Sequence, residues 1–221
     1  MRSSSRWLRA EALTPQFDPE REASLLETTL ASEVLFNGHF FDVARDRVEQ
    51  TDGSVHSREY IRHPGAAAIL PIDAQGRVLI ERQYRHAPRA IFTEFPAGKR
   101  DTGESTIETA VRELAEETGH RADEWAFLTR VCPAIGFANE VMDLWICRGL
   151  HPVPQRLDHG ERLQLHWVDI DTLFDLCRTH QIPDVKTHIG TMWLALMHKG
   201  LVPWPPFQSA QRWREHPPQL D

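Results

Sequence analysis

The segment Gly98–Gly119, GKRDTGESTIETAVRELAEETG, constrains this chain more than any other. It sets Glu104, Arg112, Glu113, Glu116 and Glu117 in a stretch that reads mostly as helix. On a helix Glu113, Glu116 and Glu117 stand at i, i+3 and i+4, so their carboxylates leave from one face. Like charges at that spacing repel. A helix that keeps them together is suited to hold something positive, and carboxylate oxygens suit hard divalent cations such as Mg2+. The plainer alternative is a solvated acidic face, the usual fate of charge runs.

The flanking residues define the helix. Ser105 and Glu108 form a Ser-x-x-Glu capping box at its start. Ile107, Val111 and Leu114 make an apolar stripe at i, i+4 and i+7 that anchors it to a core. Gly119 falls where a helix ends in a left-handed turn. Gly98 and Gly103 bracket a tight loop ahead of it.

The spacing is more specific than a charged helix requires. Gly98, Glu104, Arg112, Glu113, Leu114, Glu116, Glu117 and Gly119 fill a pattern of Gly, Glu and Arg-Glu-aliphatic-x-Glu-Glu-x-Gly that resembles the Nudix box of the Nudix hydrolases. His120 stands where that box usually ends in an aliphatic residue. Four further segments resemble the ADP-ribose pyrophosphatase branch of the family. They are Glu81-Arg82-Gln83-Tyr84-Arg85, Glu94-Phe95-Pro96-Ala97-Gly98, Gly136-Phe137-Ala138-Asn139-Glu140 and Pro183-Asp184-Val185-Lys186-Thr187, in the family's order.

The resemblance implies an α/β fold of Nudix type, a mixed sheet sandwiched between helices (α/β/α), with a small N-terminal antiparallel β subdomain. It implies Mg2+-dependent hydrolysis of a nucleoside diphosphate linked to another group, with Mn2+ as a substitute. Glu113 and Glu117 match the metal-ligating pair, Glu116 is a further ligand or water-orienting group, and the Ala97 carbonyl adds a ligand. Arg112 is expected to pair with Glu104, fixing the helix against its loop in a bidentate geometry. Gly98, Glu104, Arg112 and Gly119 are thus read as structural.

Outside the box, Arg85 and Arg82 are candidate phosphate contacts, with Glu94 in the same substrate set. Phe137 is placed to stack on a base, or else is a core residue. Glu140 is a candidate contact to substrate or metal. In relatives an Arg and a Glu from a partner's N-terminal strands hold substrate, which points to Arg58 and Glu59. Before the last strand relatives carry acid-x-acid. Here Glu161 keeps the second, metal-binding position and His159 occupies the first. An imidazole suits proton abstraction at neutral pH, so His159 can act as base; Asp158 and Glu116 are the alternatives. A proline associated with ADP-ribose specificity is replaced by Ile135, with Pro133 two residues earlier.

Along the chain, residues 1–25 read as a flexible tail and 26–62 as the N-terminal β subdomain, expected to dimerise. Residues 63–204 read as the hydrolase domain and 205–221 as a C-terminal tail. Asp73-Ala74-Gln75-Gly76 reads as a hairpin turn between two strands. The arginine- and serine-rich start, MRSSSRWLRA, reads as a tail or a targeting segment.

A net charge of −7 argues against a nucleic-acid partner held by phosphate neutralisation. No apolar run reaches the ~20 residues that span a bilayer. Cys132, Cys147 and Cys177 are widely spaced and read as buried thiols of a cytoplasmic protein. The expected reaction is hydrolysis of ADP-ribose to AMP and ribose 5-phosphate by a homodimer. The alternatives are another nucleoside diphosphate sugar such as GDP-mannose, or a non-catalytic nucleotide sensor.

Overall fold

The computed structural model describes residues 18–218; the MRSSSRWLRA segment lies outside them. The chain divides into two compact units, Met1–Tyr60 and Ile61–Asp221.

In the first unit a short helix, α1 (Pro19–Ala23), precedes a three-stranded sheet of order β1 (Glu27–Asn37), β2 (Asp42–Gln50) and β3 (Val55–Arg62). β1 and β2 are antiparallel. Turns fall at Gly38, whose N–H donates to the Phe41 carbonyl, and at Gly53, with φ +81°. β1 carries no buried residue along its eleven positions, and Val34 and Phe36 are half exposed or more.

The second unit holds two sheets. One has the order β7 (Ala97–Lys99), β4 (Ala66–Pro71), β9 (Met142–Pro152), β8 (His120–Val131). It is mixed: β4 and β9 run parallel, while β7 and β8 pair antiparallel to their neighbours. The other, antiparallel, has the order β10 (Leu163–Asp169), β5 (Arg77–Arg85), β6 (Ala90–Glu94).

Strand alternation gives the mixed sheet two apolar faces. Ala67 and Ile69 of β4, with Trp145 and Cys147 of β9, pack with Ile107, Ala110 and Leu114 of α2 (Thr106–Thr118). Ala66, Ala68 and Leu70, with Leu144 and Ile146, join a core containing Val78 and Ile80 of β5. That second core also takes Ile170, Leu173 and Cys177 of α3 (Ile170–Arg178) and Leu194 of α4 (Val185–His198). The outcome is the expected mixed sheet between helices, in a chain that also carries an N-terminal β subdomain.

Three expectations are corrected. The Asp73–Gly76 turn forms, with Gly76 N–H donating to the Asp73 carbonyl at 3.0 Å, but its strands pair only at Ile72–Val78. They then part into different sheets, because β4 pairs with β9 and β7 while β5 pairs with β10 and β6. The segment read as a C-terminal tail contains α5 (Ala210–Glu215), whose Trp213 indole donates to the Trp125 carbonyl at 2.9 Å and meets Trp145 edge-on. Pro203–Pro206 halts regular structure, yet the aromatic surface left on β8 and β9 recruits this further helix. Cys147 and Cys177 are buried, whereas Cys132 is exposed just beyond β8; all three are free.

Candidate active site

α2 is positioned by its ends. Ser105 and Glu108 form the reciprocal capping box, and Gly119 (φ 66°) closes the helix in the left-handed conformation. Asp143, buried on β9, accepts from the Thr106 hydroxyl at 2.6 Å and from Nε and Nη2 of Arg130 at 2.7 and 3.0 Å, tying the helix start to the sheet.

Arg112 locks the box. It donates to both oxygens of Glu104 at 2.9 and 3.0 Å, to Glu113 at 2.7 Å, to Glu116 at 3.0 Å and to the Lys99 carbonyl at 3.1 Å. The pairing with Glu104 read from the sequence is present. Arg112 holds the Glu104 carboxyl down to about 2. Gly98 has an equally plain reason: a Cβ there would overlap the Glu113 carboxylate, which lies against the backbone beside Ala97.

The carboxylates behind this lock are buried. Glu113 is pushed up to about 7 by burial, against the pull of Arg112. Glu117, 4% exposed, is raised well above the ordinary range by burial first, then by the charges of Glu81, Glu113 and Glu161. One Glu117 oxygen has no hydrogen-bond partner. Glu161 enters from the loop before β10, accepting from Gln83 Nε2 at 3.2 Å and from the Asp158 N–H at 3.1 Å. Glu113, Glu117 and Glu161, drawn from a helix and a distant loop, therefore meet in one field.

Among the described residues no three His, Cys, Asp or Glu side chains converge into a ready-made metal cage. The donor chemistry of Glu113, Glu117 and Glu161 nevertheless fits a hard cation: all three offer carboxylate oxygens, and one buried Glu117 oxygen accepts no hydrogen bond.

β5 supplies the opposite wall. Alternation turns Glu81, Gln83 and Arg85 inward and leaves Arg82 and Tyr84 exposed. Arg82 and Arg85 thus lie on opposite faces of one strand, and Arg82 lines a separate surface cleft with Arg162 and His166. Arg85 forms a bidentate pair with Glu94 at 2.7 and 2.9 Å. Glu94 also accepts from buried Lys186, which reaches Asp184 at 3.2 Å. Burial pushes Glu94 up, but the Arg85 and Lys186 cations prevail and hold it below the usual range. Its oxygens are committed to the protein, which leaves it as the anchor of Arg85.

The Pro183–Thr187 segment is scaffolding of the same kind. Asp184 caps α4 by accepting from the Thr187 N–H at 2.9 Å, and the Thr187 hydroxyl accepts from the Phe95 N–H at 2.9 Å.

Other candidates are dispersed. Glu116 lies one helical step aside, on a cleft of about 740 Å³ shared with Arg112, Arg121, Arg156 and Arg214. Phe137 is 59% exposed, on a loop held to the start of this unit: Ile61 N–H donates to the Phe137 carbonyl at 2.8 Å, and His63 N–H to Asn139 at 2.8 Å. Glu140 on that loop faces His63 at 3.9 Å. His159 is exposed, next to Gly160 with φ +87°. Arg58, in the first unit, pairs with Glu27.

Sequence reasoning passed over Glu81 and Lys186 as site residues. The available signal was a lone glutamate closing the apolar run Val78-Leu79-Ile80, a charge that a strand in the core does not carry idly.

Residues 61–188 match the NUDIX domain, and residues 27–61 match the nucleoside diphosphate sugar hydrolase N-terminal domain. The chain is 32% identical over 175 residues to an ADP-ribose pyrophosphatase of Bacillus subtilis, covering 78% of this chain and 95% of that protein. It is 34% identical over 179 residues to a methanol dehydrogenase activator of Bacillus methanolicus, covering 78% and 97%. A crystal structure of an ADP compounds hydrolase superimposes with a TM-score of 0.69 at 23% identity over 79% of this chain and 95% of that one, a likeness of fold. The chain belongs to the Nudix hydrolase family.

Proposed function

We propose that this Nudix-type phosphoanhydride hydrolase cleaves the pyrophosphate bond of ADP-ribose, giving AMP and ribose 5-phosphate. The observation that carries the reading is the buried field of Glu113, Glu117 and Glu161 set against Arg85. Relatives named ADP-ribose pyrophosphatases support the substrate.

In this reading Glu113, Glu117 and Glu161 hold Mg2+ or Mn2+, with Glu116 and the Ala97 carbonyl beside them. The bound cation supplies charge neutralisation and an acidified water. Arg85, oriented by Glu94, meets the diphosphate. Phe137, exposed on its loop, is free to stack on the base, and Glu140 on the same loop faces substrate. His159 takes the proton from the attacking water. Arg58 acts from a second subunit, in a homodimer formed through the exposed apolar side chains of β1; Arg82, turned away from Arg85, is left to the outer cleft.

A second reading, hydrolysis of another nucleoside diphosphate sugar such as GDP-mannose, is supported by the match of residues 27–61. Hydrolysis of a panel with Mg2+ decides: ADP-ribose, GDP-mannose, NADH, diadenosine polyphosphates and nucleoside triphosphates. ADP-ribose should give the highest kcat/KM; preference for a triphosphate would refute both readings. Glu117→Gln should abolish most turnover while retaining ligand binding. Unchanged ligand affinity with no turnover in either protein would instead support a nucleotide sensor. His159→Ala should slow the reaction by about a hundredfold or more if His159 is the base, and a change of only a few-fold would remove it from that role.

A further inference from the structure

We propose that Glu81 supplies a further carboxylate to the divalent-cation site of Glu113, Glu117 and Glu161. The proposal rests on the reading that those three residues hold a cation. Of the three inward side chains on β5, Gln83 and Arg85 have clear partners in Glu161 and Glu94. Glu81 does not. Its side chain is 0% exposed, and neither carboxylate oxygen accepts a hydrogen bond.

A buried glutamate with both oxygens unsatisfied needs a counter-charge or a proton donor. The cations around it are Arg85 and Lys186, and both are bonded to Glu94, the residue opposite Glu81 in the β5–β6 register. Glu117, itself with an orphaned oxygen, is near enough for the Glu81 charge to raise it. Two buried carboxylates with free acceptors, in a field that also includes Glu161, present the oxygen ligands that a small divalent cation takes. Strand geometry explains why Glu81 reaches this place: it is two residues from Gln83, which bonds Glu161, so both point to the same side.

The test is cation binding by the full chain without substrate. Mn2+ titrations followed by electron paramagnetic resonance, and Mg2+ titrations by calorimetry, compare the wild type with Glu81→Gln, Glu81→Asp and Glu113→Gln. Glu81→Gln should weaken Mn2+ binding by about tenfold or more with an unchanged circular dichroism spectrum. Glu81→Asp, which keeps the charge on a shorter arm, should fall between Gln and wild type; should the Gln variant fail to fold, Asp must still bind Mn2+ more weakly than wild type. Wild-type affinity in both Glu81 variants, with binding lost in Glu113→Gln, would overturn the role of Glu81 while sparing the cation site. Absence of saturable Mn2+ binding in the wild type would overturn the cation reading and this proposal with it.

Discussion

Replacing Glu81 by glutamine should stabilise the metal-free protein, by an amount that grows with pH. Burial, reinforced by the neighbouring Glu94 charge, pushes Glu81 up from 4.5 to about 8. Between those pH values the folded chain keeps a proton that the unfolded chain has released. Stability therefore falls as pH rises through this window and levels off above it. The interval from 4.5 to about 8, at roughly 1.4 kcal/mol per pH unit, sets a ceiling of about 5 kcal/mol. Glutamine has nearly the same shape and cannot ionise, so it escapes this cost. Glu113 titrates in both proteins, whereas Glu117, raised in part by the Glu81 charge, is raised less in the variant and shifts the comparison in the same direction.

The assay is urea unfolding in EDTA at pH 5, 7 and 9. The variant should match the wild type within about 1 kcal/mol at pH 5 and exceed it by roughly 2–5 kcal/mol at pH 9. Mg2+ should narrow the gap at pH 9 by stabilising the wild type selectively. A difference independent of pH, or a variant less stable than wild type at pH 9, would refute the reasoning. It would show that Glu81 is ionised and held by Arg85 or Lys186.

Three further outcomes are expected. Gly98→Ala should cost about 1–3 kcal/mol and lower Mn2+ affinity, because the new methyl group displaces the Glu113 carboxylate; unfolding and metal titration check both. Arg112→Lys loses the bidentate bond that holds Glu104 at about 2, a contribution present above pH 4.5 and lost as pH falls toward 2. The variant should be less stable at pH 7 by about 1–3 kcal/mol and show a flatter acid limb in the same assay. Trp213→Ala removes the bond to the Trp125 carbonyl and the edge-on contact with Trp145, and should cost about 2–4 kcal/mol by urea unfolding.

The box was legible because its constraints are local. The Ser105–Glu108 capping box, the Gly119 stop and the Ile107–Leu114 stripe all lie within one helix, where a 3.6-residue period fixes which side chains share a face. The Arg112–Glu104 pair was accessible for the same reason, since loop and helix are adjacent in sequence. Strand alternation, by contrast, separates Arg82 from Arg85 and brings Glu81 to the side of Arg85, an assignment that depends on which face of β5 meets the core. The C-terminal helix was missed because α5 has little apolar periodicity of its own; it exists where the indole of Trp213 finds the Trp125 carbonyl.

By itself the sequence determined the family, the position of the acidic helix and the type of ion its carboxylates suit, because spacing within one helix is a property of the chain alone. The tertiary structure decided which groups gather around that helix. Glu161 comes from a loop some 43 residues beyond α2, Glu81 from a strand before it, and Glu94 is bonded both to Arg85 and to Lys186 of a distant helix. Burial and charge at these positions arise only when β5, α2 and the loop before β10 are brought together, and no local pattern records that meeting.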